Sequence, residues 1–199
     1  MSTVATPVVG SRYFVNEVMY GMSREQALAL FRTLPALGPQ ELRREYTGHV
    51  HDGGDLALRA KRRAFFLDES SELGSRLGKS YLSDADGHGQ GHNIWRRAKA
   101  VTCRNLRFRT EIAASAIDGR PSLMMYYGAY NSFCGDMDLI DEIRRIDDGV
   151  YLGVYTCTQT LEGFSVVQPG NARSAMELFA LTGPTGLWVG VDDSELEVI

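Results

Sequence analysis

Glu142, Arg144 and Tyr155 stand on either side of a tight-turn signal, and between them they hold the parts of a proton-transfer site. A carboxylate set among apolar side chains is pushed toward a neutral pKa, where it can act as base or acid. A guanidinium can orient a substrate oxygen, and a phenol can donate to negative charge as it develops. Asp148-Gly149 is what brings the three together. Both central residues of a type I′ turn need positive φ, and Asp-Gly supplies them. A two-residue loop there pairs Arg144 with Gly153, Glu142 with Tyr155 and Ile146 with Tyr151. The three polar groups then share one face with Ile140, Ile146 and Tyr151, while Leu139, Ile143, Leu152 and Val154 share the other. The plainer reading of that mixed face is an outer sheet surface with ordinary cross-strand pairs. His88, in the polar stretch Ser83–Asn93, is a further proton-transfer candidate.

A second group of residues would line a site rather than react in it. Tyr126, Tyr127, Tyr130, Tyr151 and Tyr155 crowd two hairpins, and a phenol is an apolar body with one polar tip. Asp118-Gly119 is another turn signal; a two-residue loop sets Ile112 opposite Met125 and Thr110 opposite Tyr127. Leu106, Phe108, Ile112, Met125, Tyr127 and Ala129 then share a face. We expect Phe108, Met125 and Tyr127 to point inward with Tyr151, Tyr155 and Tyr46, and Trp95 to sit near the mouth as an apolar gatekeeper. Tyrosine is also a good strand residue, so structure alone could account for much of the group.

These side chains need a frame. Beyond residue 100 the apolar period is two, hairpin follows hairpin, and strands joined in sequence by tight turns tend to close into a barrel with an inside. Ahead of them, Ser23-Arg24-Glu25-Gln26 has the form of a capping box. Ala27, Leu28, Leu30, Phe31 and Leu34 continue it as a helical stripe that Pro35 ends. Leu56, Ala60, Ala64 and Leu67 suggest a further helix whose Arg59, Lys61, Arg62 and Arg63 form a solvated basic face. Ser83–Asn93, rich in Gly, Asp and His, reads as a loop and as a lid over the mouth. The chain is therefore expected to be one domain, 1–199, with a helical front (1–95) and a hairpin-rich rear (96–199). Its class is mainly β with short helices: a closed antiparallel barrel with an N-terminal helix capping or flanking it.

Composition removes several functions. A hydrophobic fraction of 44% and a charged fraction of 23% are those of an ordinary globular protein. A net charge of −4 argues against nucleic acid as the main partner, because phosphate contacts need a basic surface. No apolar run approaches the roughly 18 residues of a membrane span, and the start lacks the regions of a signal peptide. Cys103, Cys134 and Cys157 read as free thiols of a cytoplasmic protein. His88 and His92 lie four apart, but three glycines around them argue against the helix that a metal pair at this spacing would use, so no metal is expected. No Gly-x-Ser-x-Gly elbow, phosphate-cradling glycine pattern or Walker lysine is present, so neither covalent hydrolysis nor a nucleotide cofactor is expected.

Ala27-Leu-Ala-Leu-Phe-Arg-Thr-Leu-Pro35, then Leu42 to Gly48, then Leu77-Gly78-Lys79-Ser80-Tyr81 resemble the bacterial GXWXG-domain proteins. In those, a helix ending in Leu-Pro precedes a Gly-x-Trp-x-Gly strand. Arg44 and Tyr46 stand here where that pattern has its first glycine and its tryptophan. Arg120 to Thr156 is similar to the domain that usually follows, and the opening helix and strand look like those of lipocalins. The resemblance implies a calycin-like barrel and, since the family is largely uncharacterised, a fold more than an activity.

Two functions of different class follow. In one, the barrel is a carrier of an apolar small molecule such as a polyketide, terpenoid or fatty-acid-like compound. In the other it is a cofactor-independent isomerase, cyclase or dehydratase, with Glu142 as base, Arg144 orienting the substrate, Tyr155 donating and His88 entering from the lid. A buried carboxylate paired to an arginine or a tyrosine would favour the enzyme. The expected partner is the small molecule itself, with a homodimer as the assembly to test.

Overall fold

The computed structural model describes residues 15–51, 74–157 and 175–190, apart from 39, 85 and 87, together with isolated positions between 57 and 70. Eight strands succeed one another: β1 (Arg44–Val50), β2 (Ser75–Ser83), β3 (Gly89–Arg97), β4 (Val101–Ala114), β5 (Pro121–Tyr126), β6 (Ile140–Asp147), β7 (Val150–Cys157) and β8 (Ala175–Leu187). Each pairs antiparallel with the next, and β8 returns to pair with β1, closing a calycin-like barrel. Both Asp-Gly pairs lie at hairpin tips, with Gly119 at φ 73° and Gly149 at φ 68°.

Two of the eight strands, β2 and β3, fall in the front stretch where no strand was expected. The polar, glycine-rich residues of β2 and β3 hide the two-residue period because close approach, more than apolar alternation, sets their composition. A methyl group at Gly91 would run into the Phe108 ring and the Ser80 carbonyl. The expected lid at Ser83–Asn93 is thus largely the start of β3, with a short tip at 84–88. Around residues 57–66, Ala57, Ala60, Ala64 and Phe66 are helical, while Arg59, Lys61, Arg62 and Arg63 lie outside the described residues.

Helix α1 (Arg24–Thr33) forms as its capping box dictates: the Gln26 amide donates to Ser23 Oγ at 3.3 Å, and the Ser23 amide to Gln26 Oε1 at 2.8 Å. It flanks the barrel. With the wide turn Val15–Gly21 it lays Met19, Ala27, Leu28 and Phe31 on the outer wall formed by Val150, Leu152, Val154, Leu178 and Ala180. Residues 150–154 of β7 and 178–181 of β8 are therefore apolar on both faces, which explains those hydrophobic runs. Their other face, with Tyr151, Phe179 and Leu181, joins Tyr46, Tyr81, Trp95, Phe108, Met125 and Tyr127 in the inner core. Leu37 and Leu42 enter that core from the segment before β1. Cys134 and Met137 enter it from the β5–β6 connection, where a 3-10 turn (Tyr127–Ala129) precedes the short helix α2 (Phe133–Asp136).

Both hairpins depart from the register that two-residue turns impose. At β6–β7 the pairing starts as expected, Asp147 opposite Val150, and then a bulge shifts it by one. Arg144 consequently faces Leu152, Glu142 faces Val154, and Asp141 faces Tyr155. A shift of one residue exchanges the two faces of a strand. At β4–β5 the Ser115 amide donates to the Arg120 carbonyl at 2.9 Å, so four residues form the loop and Thr110 faces Met125. That shift is two residues, and the faces are kept.

Candidate functional site

Because β6 turns over, Glu142 and Arg144 lie on the outside of the barrel wall and Asp141 lies within. Both outer residues are nonetheless fully buried, beneath the 115–120 loop and the end of α1. Arg144 donates to Asp118 at 2.7 and 2.6 Å, to the Phe31 carbonyl at 3.1 Å and to the Arg120 carbonyl at 3.2 Å, and lies over the Phe31 ring. Arg120 in turn donates to the carbonyls of Arg32 and Leu34. Two guanidiniums thus cap carbonyls at the end of the helix, sharing that of Phe31 with the Leu34 amide. Glu142 Oε1 accepts from the Ala116 amide at 2.9 Å, and burial raises its pKa. The expected trio of Glu142, Arg144 and Tyr155 is therefore divided by the sheet. Tyr155 is the one member on the inner face.

The remaining expected positions divide as well. His88 sits exposed on the β2–β3 tip, 4.0 Å from Glu111, and His92 lies on the outer wall against Trp188. His51 is buried and donates to the Met22 carbonyl at 3.0 Å. Among the described residues, no group of three or more His, Cys, Asp or Glu is placed to hold a metal ion. Trp95 is a buried strand residue of the inner wall. Phe108, Met125, Tyr127, Tyr151 and Tyr46 do come together inside. Their rings form a continuous file: Tyr151 to Tyr46 at 5.6 Å, Tyr46 to Tyr81 at 5.9 Å, Tyr81 to Phe108 at 5.4 Å and Phe108 to Tyr127 at 5.2 Å.

Among those rings is an ionic cluster of which sequence reasoning picked out Tyr127 and passed over Lys79, Asn93 and Asp141. Lys79 Nζ lies 2.7 Å from Asp141 Oδ2 and donates to Asn93 Oδ1 at 2.7 Å and to the Tyr127 hydroxyl. That hydroxyl is also 3.1 Å from Asn93 Oδ1 and 3.2 Å from Asp141 Oδ2. Three strands and a turn converge here: Lys79 and Asn93 are cross-strand partners on β2 and β3, Asp141 comes from β6, and Tyr127 follows β5. The ammonium also stands 5.1 Å from the Phe108 and Tyr127 ring centres and 5.5 Å from that of Phe179. Burial draws the Lys79 pKa down to about 8 against the pull of Asp141, and raises those of Tyr127 and Tyr81 well above the phenol range. Cys134, also near, is pushed up to about 12 by burial and stays a thiol. Arg76 lies over Phe179 at 5.6 Å, and its buried Nε, Trp95 Nε1 and Asn105 Oδ1 have no hydrogen-bond partner among the described residues. A buried polar atom without a partner costs free energy, and such atoms occur here and on the outer wall alike, at Arg144 Nε and Glu142 Oε2.

A signal for this cluster was present in the sequence. Leu77, Lys79 and Tyr81 share one parity, which places a lysine on the side of two apolar residues.

Above the file of rings, Gln40, Glu41, Arg43, Arg44, Asp148 and Pro184 surround a concavity of about 510 Å³ that Tyr46 and Tyr151 also line. Tyr46 is the cross-strand partner of Lys79.

No protein-family model and no curated protein matches the chain. A solved structure of a protein from Thermomonospora curvata shares the fold, with a TM-score of 0.52 over 86% of this chain and 93% of that one, at 16% identity.

Proposed function

We propose that the barrel binds a largely apolar small molecule carrying a polar oxygen, such as a polyketide, terpenoid or fatty-acid derivative. The observation that carries this reading is the Lys79–Asp141–Tyr127–Asn93 cluster set among aromatic rings. A protein needing only a core would do as well with hydrocarbon there, because a buried ion pair seldom outperforms well-packed apolar residues. A few convergent polar groups in an apolar surround are how small-molecule sites fix orientation. The concavity over Tyr46 and Tyr151 supplies an approach.

A second reading is catalysis by the same residues, as an isomerase, cyclase or dehydratase. Its support is a buried carboxylate hydrogen-bonded to a tyrosine, beside an amine whose pKa of about 8 suits proton transfer near neutrality. Solvent extraction of the purified protein followed by mass spectrometry tests the binding reading directly. An apolar compound should be recovered in stoichiometric amount, or a panel of apolar ketones and alcohols should quench tryptophan fluorescence saturably. Tyr127→Phe should weaken that binding while leaving the circular dichroism unchanged. If nothing co-purifies and no compound of the panel binds, the interior is a core and the proposal fails.

A further inference from the structure

We propose that Lys79 is an imine-forming amine, and that the barrel captures an apolar aldehyde or ketone through a bond between its carbonyl carbon and Nζ. This rests on the reading of the barrel as a small-molecule site and names the substrate class. The choice of side chain is the first support. The chain's lysines are Lys61, Lys79 and Lys99, against eighteen arginines, and the one at the barrel centre is a lysine. Arginine would make a better buried ion pair, with a rigid fork and more donors; only lysine can become a nucleophile. The second support is the placement of partners. Asp141 Oδ2, 2.7 Å from Nζ, is positioned to take its proton, and the Tyr127 hydroxyl is positioned to bond the carbonyl oxygen. The third is the surround. Phe108, Tyr127 and Phe179 present their rings to the amine, and its complete burial among them keeps bulk water away and favours the neutral form.

The step balances with groups on hand. The ammonium passes a proton to Asp141, and the freed lone pair adds to the carbonyl carbon. The carbonyl π electrons move to oxygen, which accepts a hydrogen bond from Tyr127 and then a proton from the new ammonium. Asp141 returns its proton to that hydroxyl, which leaves as water while the nitrogen lone pair closes the C=N bond. The product is a protonated iminium beside an ionised Asp141. One positive and one negative charge are present before and after, so the buried pair is preserved.

The test uses the full chain with the terpenoid aldehyde citral and its alcohol geraniol, in sodium cyanoborohydride, which reduces iminium to a stable amine. Peptide mapping by mass spectrometry should find the adduct on Lys79 in large excess over Lys99, which stands exposed on a surface turn. Geraniol should bind by tryptophan quenching and compete. Tyr127→Phe should slow trapping by about 10²-fold. Lys79→Arg, checked for fold by circular dichroism, should abolish the adduct at position 79; the mapping on the unaltered chain does not depend on that variant folding. If geraniol binds and Lys79 carries no adduct, or no more than Lys99, the covalent inference is overturned and the binding reading stands. If neither geraniol nor citral is retained, the binding reading has failed for this ligand class and takes the inference with it.

Discussion

Arg144 and Lys79 are both fully buried, and each holds a carboxylate within 2.7 Å, yet their remaining donors end on different things. Arg144 spends its other contacts on the carbonyls of Phe31 and Arg120, and its guanidinium covers the Phe31 ring. Every partner belongs to the outer wall, the 115–120 loop or α1. Lys79 ends on side chains alone, from β3, β6 and the turn after β5. Main-chain acceptors make a joint between elements. Side-chain acceptors in an aromatic surround make a place where another molecule can substitute for one of them. Burial of charge therefore says little by itself; what the charge touches decides its role.

The largest effect should come from halving the inner pair. Lys79→Met leaves Asp141 buried without its cation, and breaking such a pair costs about 3–5 kcal/mol. Chemical denaturation should show that loss, and Lys79→Met combined with Asp141→Leu should recover most of it while ligand binding stays absent. A single variant as stable as the parent would mean that the pair is not held as described. Next in size is the outer joint. Arg144→Leu removes charge-assisted bonds to Asp118 and the end of α1, at about 1.5–3 kcal/mol, and should leave ligand binding intact. Loss of binding in that variant would erase the distinction drawn between the two cations.

The two clusters should also separate on a pH scale. The Arg144 guanidinium holds the Asp118 carboxyl down at about 2 from an ordinary 3.8. Folded Asp118 thus binds its proton less readily than unfolded, so its stabilisation is whole above pH 4 and drains away as pH falls to about 2. Lys79 runs the same way in a higher window: folded, it releases its proton at about 8, unfolded only near 10.5. Across that interval the unfolded chain carries the extra proton, so stability should rise with pH. Melting temperatures from pH 2 to 10.5 read both limbs; Asp118→Asn should remove the acid limb alone, and the Lys79→Met, Asp141→Leu double variant the alkaline one. The smallest effect belongs to Glu142→Gln. Its acceptor for the Ala116 amide is kept and the cost of a buried charge is removed, so the urea midpoint at pH 7 should hold or rise slightly, with ligand binding unchanged. A marked fall in ligand turnover or binding would return Glu142 to the catalytic role first read for it.

How far the sequence could be read depended on what each residue's neighbours made visible. The capping box at Ser23, the Pro35 stop and the two Asp-Gly tips are local signals, and all four stand in the structure. So does the inward set of Phe108, Met125 and Tyr127, because the β4–β5 register shifted by an even number of residues. The bulge between Arg145 and Asp147 has no such local mark, and that single extra residue moved Glu142 and Arg144 outside and Asp141 inside. Strands β2 and β3 were hidden for a different reason. Gly78, Gly89 and Gly91 are there because neighbouring strands and the Phe108 ring come too close for a side chain, and that crowding appears only in three dimensions. Lys79 could have been suspected from its parity with Leu77 and Tyr81, but its partners Asn93, Tyr127 and Asp141 are distant in sequence and meet only when the sheet closes.

The docking of α1 against β7 and β8 also has a consequence for how the chain is made. The helix is among the first described segments to be synthesised, and the wall that covers Ala27, Leu28 and Phe31 is among the last. Throughout translation of the six strands between, that greasy stripe has no partner, and a ten-residue helix is too short to be firmly formed alone. Its amides should become protected in pulsed hydrogen exchange no sooner than those of β8, so that the segment which comes first in the chain is finished last.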